Sequence, residues 1–201
     1  MPLLLSLIAC GPRQPLPGDG TVAEGRYANP FFGMTIRIPE GWTAVKGPDR
    51  MSRFLHYLLM MMAVQEGRVD AEMRVVPLVR LSSGTGASSD PDGAVVTVAA
   101  ANLGSKLVTI KRGMDLARMM VKESPIPGKY RREPDNGLVG NHAAGTFELE
   151  WTVEGRPLFE AFSLLDRRRH MLVFHVSAAT PEGLAAGKKV LESASWQVPE
   201  R

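Results

Sequence analysis

The chain has 201 residues, of which 44% are hydrophobic and 22% are charged. This balance is typical of one globular domain rather than a disordered chain. Lys and Arg outnumber Asp and Glu by 24 − 21 = 3, an excess too small to indicate a nucleic-acid-binding protein. The single cysteine excludes an internal disulfide and a structural zinc site built on several thiolates.

That cysteine, Cys10, ends an apolar run that begins at Leu3. The four residues Leu7-Ile8-Ala9-Cys10 resemble the lipobox of bacterial lipoproteins, in which the signal segment is cleaved before the cysteine and the thiol is acylated. No basic residue precedes the run, as one would in a signal peptide. The run is too short for a transmembrane helix, which needs about 20 apolar residues. A chance thiol in a misassigned or cytosolic N-terminus is the alternative.

Three regions follow from this interpretation. Residues 1–9 form a signal-like apolar segment. Residues 10–25 hold the lipidation cysteine and a segment with three Pro, four Gly and no hydrophobic periodicity, which predicts a flexible tether. Residues 26–201 form the globular domain.

The first predicted strand covers Met34 to Ile38, where apolar residues alternate with Thr35 and Arg37. Trp42 follows "IPEG" and is expected to fold back on the sheet. Residues 51–64 fit both helical spacing and a fully buried strand; we expect a short helical turn up to about His56 and then a strand.

Two further strands are predicted at 74–81 and 94–103. Pro77 is expected to place the first at a sheet edge, where it could accept a partner strand. Between them, residues 83–93 are polar and rich in glycine, which indicates an exposed loop. Residues 112–123 carry Met and Leu at helical spacing and predict an amphipathic helix.

The last third predicts a meander of three antiparallel strands, in "HAAGTFELEWTV", "LFEAFSLLD" and "HMLVFHVSAA". Thr180-Pro181-Glu182 has the N-cap, first-turn Pro and acidic residue of a helix that runs to about Glu192. The fold class is therefore α+β, a single domain with an antiparallel sheet and helices packed on its faces. Trp42 and Trp151 are expected to be buried, so that replacing either by Ala would cost roughly 3–5 kcal/mol.

The order "YANPFFG", "IPEGW", a central helix and the meander with "EGRPLFEAFSLLDRRRHMLVFHVSAATPEGL" resembles PsbP-like domains over about residues 27–196. These include the photosystem oxygen-evolving subunit, DcrB-type bacterial lipoproteins and chaperones of secreted effectors. The resemblance implies an antiparallel sheet with helices on its faces. It transfers no binding residue to this chain.

No catalytic or metal constellation is predicted. The four histidines, His56, His142, His170 and His175, lack helical ligand spacing and are interpreted as structural or surface residues. Asp90 and Asp92 lie in a turn that lacks the calcium-loop pattern. Glu148 and Glu150 share a strand face about 7 Å apart, a spacing that some glycosidases use, but a solvent-facing strand is favoured.

Basic residues cluster at Arg167–Arg169, Lys188–Lys189 and 129–132. The three arginines occupy a predicted hairpin turn that could touch anionic lipid head groups. A solvated turn is the favoured interpretation of this cluster.

Three classes of function remain open, and no cofactor is predicted for any of them. The leading hypothesis is a lipid-anchored lipoprotein of the bacterial envelope, facing the periplasm or exterior. Its non-enzymatic PsbP-like domain would bind a protein partner through the loop 83–93 and the adjoining sheet. The alternatives are a soluble chaperone-like module for a secreted partner and a hydrolase with an unrecognised site.

Overall fold

The structure is a computed structural model that describes residues 14–47, 75–84, 93–102, 113–123 and 129–197. These residues form eleven strands and two helices. The strands are β1 (Thr21–Ala23), β2 (Arg26–Asn29), β3 (Met34–Arg37), β4 (Thr43–Lys46), β5 (Val75–Ser82), β6 (Ala94–Asn102), β7 (Lys129–Val139), β8 (His142–Val153), β9 (Arg156–Arg167), β10 (His170–Ala178) and β11 (Ser195–Trp196). The helices are α1 (Gly113–Glu123) and α2 (Pro181–Glu192).

The strands make two antiparallel sheets. The large sheet has the order β4-β5-β6-β10-β9-β8-β7, and the small sheet has the order β1-β2-β3-β11. Strands β8, β9 and β10 pair as consecutive hairpins, which confirms the predicted meander. The architecture is α+β with helices on the sheet faces, as the sequence predicted.

Two apolar cores lie on opposite faces of the large sheet. On one face, Leu172, Phe174 and Val176 of β10 pack with α2 and with the small sheet through Tyr27 and Met34. On the other face, α1 covers a second core, whose members include Leu116, Phe147, Phe162, Leu164 and Val173. Successive side chains of β10 therefore belong to the two cores in turn, because neighbouring residues of a strand point to opposite faces of the sheet.

The local signals that predicted β3 and the two helices are confirmed. In β3, Met34 and Ile36 are buried and Arg37 is exposed. In α2, the Thr180 hydroxyl accepts a hydrogen bond from the Gly183 backbone N–H at 3.1 Å, which satisfies one of the free donors at the helix start. Within the described ranges, neither helix has the length and apolar character that a transmembrane span requires.

Helix α2 can approach the large sheet closely because position 187 is glycine. A side chain there would overlap a methyl group of Val176 in β10. Gly187 is therefore required by packing, although its helix propensity is poor.

Two predictions about strands need correction. β5 is not an edge strand, because β4 pairs with its Val79–Ser82 half and β6 pairs along its other side. Pro77 lies at a register shift in the β5–β6 ladder, where a residue without an N–H is tolerated. The edge strand β7 was missed, because its bulges break the burial alternation.

The described part of the chain begins at Gln14. β1 pairs with β2, so residues 21–23 of the segment predicted as a tether are part of the small sheet. Trp42 and Trp151 pack against the two cores but are only half-buried, which lowers the expected cost of replacing them. The predictions for residues 51–64 and for the interior of the loop 83–93 lie outside the described residues.

Candidate functional site

One end of the molecule gathers the turn between β9 and β10, the β2–β3 connection and both ends of the described chain. We call it the arginine end. It comprises Pro17, Phe31, Phe32, Arg167, Arg168, Arg169 and Gln197. The Asn29 side chain donates a hydrogen bond to the Pro17 carbonyl at 2.8 Å, which fixes the incoming chain beside the β2–β3 connection.

Arg167 joins the two sheets at this end. Its Nε donates to the Phe32 carbonyl at 2.6 Å, and its Nη2 donates to the Gln197 carbonyl at 2.8 Å. The guanidinium also lies 4.9 Å from the centre of the Trp196 ring, within the range of a cation–π contact. The planar fork of arginine can serve these partners at once, which a lysine could not.

The next two residues form a tight turn in an unusual backbone conformation. Arg168 and Arg169 have φ angles of 50° and 63°, in the left-handed region that favours glycine. The turns at Glu24–Gly25 and Glu154–Gly155 place glycine at the second of these positions. The arginines therefore occupy a turn whose geometry would be satisfied better by glycine.

Arg168 and Arg169 are both exposed. The Arg168 guanidinium lies 5.5 Å from the centre of the Phe31 ring, and its carbonyl accepts a hydrogen bond from His170 Nδ1 at 2.8 Å. The prediction that these arginines are solvated therefore holds for Arg169. Arg167 is instead a structural residue, and Arg168 lies against the Phe31 ring.

His142 completes the polar contacts of Arg167. Its Nε2 lies 3.1 Å from Arg167 Nη1 and its Nδ1 lies 3.0 Å from Asn141 Oδ1. Because guanidinium can only donate, Nε2 is the acceptor and Nδ1 carries the proton. Burial, and secondly the charge of Arg167, lower the pKa of His142 below its usual 6.5.

This arrangement predicts a pH dependence of stability. The unfolded chain binds a proton near pH 6.5 while the folded chain resists it, so the free energy of unfolding should fall as pH drops below about 6.5. Urea unfolding of the native chain and His142→Gln at pH 7.5 and 5.5 measures this effect. The variant should lose less stability than the native chain on acidification; equal losses would contradict the assignment.

His175 forms a buried pair with Glu160 instead of facing a cavity. Its Nε2 lies 2.8 Å from Glu160 Oε1, and the two side chains are 1% and 2% exposed. The imidazole also stacks on Phe162 at 4.6 Å between ring centres. Such burial leaves no surface for a substrate, so the pair is structural.

The glutamates that could have served as an acid and base pair are each bound to a cation. Glu148 Oε1 lies 2.5 Å from Lys188 Nζ of α2, and Glu150 Oε2 lies 3.4 Å from Arg131 Nη1 of β7. These contacts join neighbouring elements across the surface. Glu148 and Glu150 therefore act as ion-pair partners rather than as an open catalytic pair.

The opposite end of the strands, which we call the distal end, is marked by Ser83, Gly93, Glu154–Gly155 and Thr180. Antiparallel register places it there: Ala94 pairs with Ala178, whereas Asn102 pairs with His170 beside the arginine end. Eight steps of about 3.3 Å give a strand length of about 26 Å between the two ends. Ser83 and Gly93, which flank the loop, therefore lie at the end farthest from the arginine end.

The remaining candidates are not brought together. Cys10, His56, Asp90 and Asp92 lie outside the described residues. The described part of the chain contains no group of three His, Cys, Asp or Glu side chains able to hold a metal ion. Sequence reasoning missed Arg167 as a structural anchor and Glu160 as the partner of His175, and the only signal for Glu160 was a charge within an otherwise apolar strand.

Comparison with known proteins supports the fold. No protein-family model matches the chain, and no curated protein matches it. The solution structure of cyanobacterial PsbP (CyanoP) from Synechocystis is similar, with a TM-score of 0.51 and 14% identity over 93% of this chain and 100% of that one. The chain therefore has a PsbP-like fold.

A second solved structure is also similar. LpqN, involved in cell envelope biogenesis of Mycobacterium tuberculosis, has a TM-score of 0.49 and 12% identity over 81% of this chain and 82% of that one. At these identities neither likeness assigns a function to this chain.

Proposed function

We propose that this chain is a bacterial envelope lipoprotein of the DcrB type, anchored through Cys10. Its PsbP-like domain would bind a protein partner and catalyse no reaction. The observation that carries the proposal is the pattern Leu7-Ile8-Ala9-Cys10.

The geometry of the described residues supports an anchored arrangement. The chain enters the domain at Pro17, held by Asn29, only seven residues after Cys10. Packing already begins with the buried Gly20 beside Tyr27. A lipid at Cys10 would therefore hold the domain by its arginine end on a short connection.

The distal end suits a partner. The flanks of the loop 83–93 are fixed there by bonds between Ser83 and Ala94, including the Ala94 N–H to Ser83 Oγ bond at 2.7 Å. Loops displayed by a rigid sheet are frequent sites of binding residues. An anchored domain would present Ser83 and Gly93, the flanks of this loop, away from the membrane.

Metabolic labelling tests the lipid anchor. Expression of the full chain with labelled palmitate in a bacterial host should label the protein, and Cys10→Ser should abolish the label. As a matched control, Ala143→Cys in the Cys10→Ser chain offers an exposed thiol outside the lipobox-like pattern and should stay unlabelled.

Two results would contradict the anchor. Label retained by Cys10→Ser would show that another group carries it. An unlabelled parent chain would favour the soluble, chaperone-like alternative.

A further inference from the structure

We propose that the arginine end is a docking surface for an anionic lipid bilayer, with Arg168 and Arg169 as its contact residues. The inference rests on the proposed function, because the anchor at Cys10 decides which end of the domain meets the membrane. It adds a second contact between the domain and the bilayer, through charge rather than through an acyl chain.

The chain enters the domain beside the arginine turn. The seven residue steps from Cys10 to Pro17 span at most about 25 Å when fully extended, and Pro17 is held at the arginine end by Asn29. From Asn29 the chain runs directly into Phe31, whose ring lies 5.5 Å from the Arg168 guanidinium. The point at which the chain enters the domain and the arginine turn therefore lie on the same end of the domain.

The arginine end carries exposed positive charge. Arg168 and Arg169 are exposed at the tip of the β9–β10 turn, while Arg167 behind them is held by backbone carbonyls. Near-surface basic residues strengthen binding to anionic lipid by a factor of about five each. One basic turn gives weak binding alone, but a tether raises its effective concentration at the membrane.

The backbone of the turn is unfavourable for the two arginines that it carries. Both arginines adopt left-handed φ angles, a conformation that disfavours residues other than glycine. The carbonyl contacts that explain Arg167 involve its own guanidinium, and they do not explain why two more arginines follow it. The turn thus carries two charges at a cost to its own stability, which a function of those charges explains.

Vesicle binding tests the proposal without any acyl group. The full chain with Cys10→Ser is mixed with vesicles of phosphatidylcholine containing one third phosphatidylglycerol, at low salt, and bound protein is measured by sedimentation. Adding Arg168→Gln and Arg169→Gln should weaken binding about 25-fold, since two charges contribute a factor of about five each. Vesicles of phosphatidylcholine alone should bind none of the chains.

Matched variants separate the turn from net charge and from folding. Lys129→Gln with Arg156→Gln removes two exposed charges near the distal end and should change binding less than about threefold, because these charges lie a strand length from the bilayer. Arg168→Lys with Arg169→Lys keeps the charges and should retain binding, because attraction to a bilayer depends on charge and not on the guanidinium fork.

The proposal is overturned if the two glutamine pairs weaken binding equally, or if the parent chain does not bind the anionic vesicles. Loss of binding in the lysine pair would also overturn it. None of these results depends on palmitate labelling, so failure of the docking surface and failure of the lipid anchor are distinguishable.

Discussion

Replacing His175 by Phe is expected to lower the free energy of unfolding by about 3–5 kcal/mol, because it leaves the Glu160 carboxylate buried without its partner. The aromatic ring preserves the stack on Phe162, so lost packing contributes little. Glu160→Leu should cost less, about 1–3 kcal/mol, since it removes the carboxylate itself and so leaves no buried carboxylate without a partner.

The double variant Glu160→Leu with His175→Phe completes the test. Removing both polar groups should restore most of the stability lost in His175→Phe, because no isolated charge then remains buried. Urea unfolding midpoints and slopes measure all four chains. Additive losses would show that the two side chains are not coupled.

An exposed ion pair provides the matched control for this cycle. Glu150 lies 3.4 Å from Arg131 in half-exposed surroundings, and Glu150→Leu should cost less than about 1 kcal/mol. A cost as large as that of His175→Phe would show that burial does not set the strength of these pairs.

Replacing Arg167 by Ala is expected to cost about 2–3 kcal/mol, because it removes charge-assisted hydrogen bonds to two backbone carbonyls. Those carbonyls belong to Phe32 and Gln197, so the loss falls on the junction between the small sheet and the large one. Arg167→Lys should recover little, since an ammonium group cannot match the fork.

The neighbouring arginine is the control for that prediction. Arg169→Ala also removes one positive charge but is exposed, so it should shift the unfolding free energy by less than about 0.5 kcal/mol. Thermal or urea unfolding of Arg167→Ala, Arg167→Lys and Arg169→Ala measures these changes in the free energy of unfolding. If Arg167→Ala and Arg169→Ala are equally stable, Arg167 does not hold the sheets together.

The sequence predicted those elements whose signals are local. Alternation of Met34 and Ile36 with exposed residues marked β3, and the Thr180 N-cap marked α2. In the three strands of the meander, apolar residues either alternate with polar ones or form a continuous run. The first pattern predicts a strand buried on one face, and the second predicts a strand buried on both faces. These signals depend on near neighbours in the chain.

The features that were missed depend on register or on distant contacts. Glu160 meets His175 only because β9 and β10 pair in one particular register, with Phe162 opposite His175. Arg167 and Phe32 are 135 positions apart, and no local pattern reports such a contact. β7 lacks alternation because register shifts follow Tyr130 and Arg132.

The candidate surface was predicted only as a composition. Three consecutive arginines indicated a basic turn. Tertiary packing decides that Arg167 binds backbone carbonyls, whereas Arg168 and Arg169 are exposed. The strained φ angles of Arg168 and Arg169 are likewise absent from any sequence pattern, because arginine gives no turn signal.

The position of Gln197 beside Arg167 constrains how this protein can be handled in the laboratory. An affinity tag or fluorescent protein fused after Gln197 would begin next to Arg167, one position before Arg168, and so would crowd the face that meets a vesicle. The turn at Glu154–Gly155 is the better site for a reporter, because both residues are exposed and lie at the distal end. A dye or epitope inserted there would stand about one strand length from the lipid and leave both contacts undisturbed.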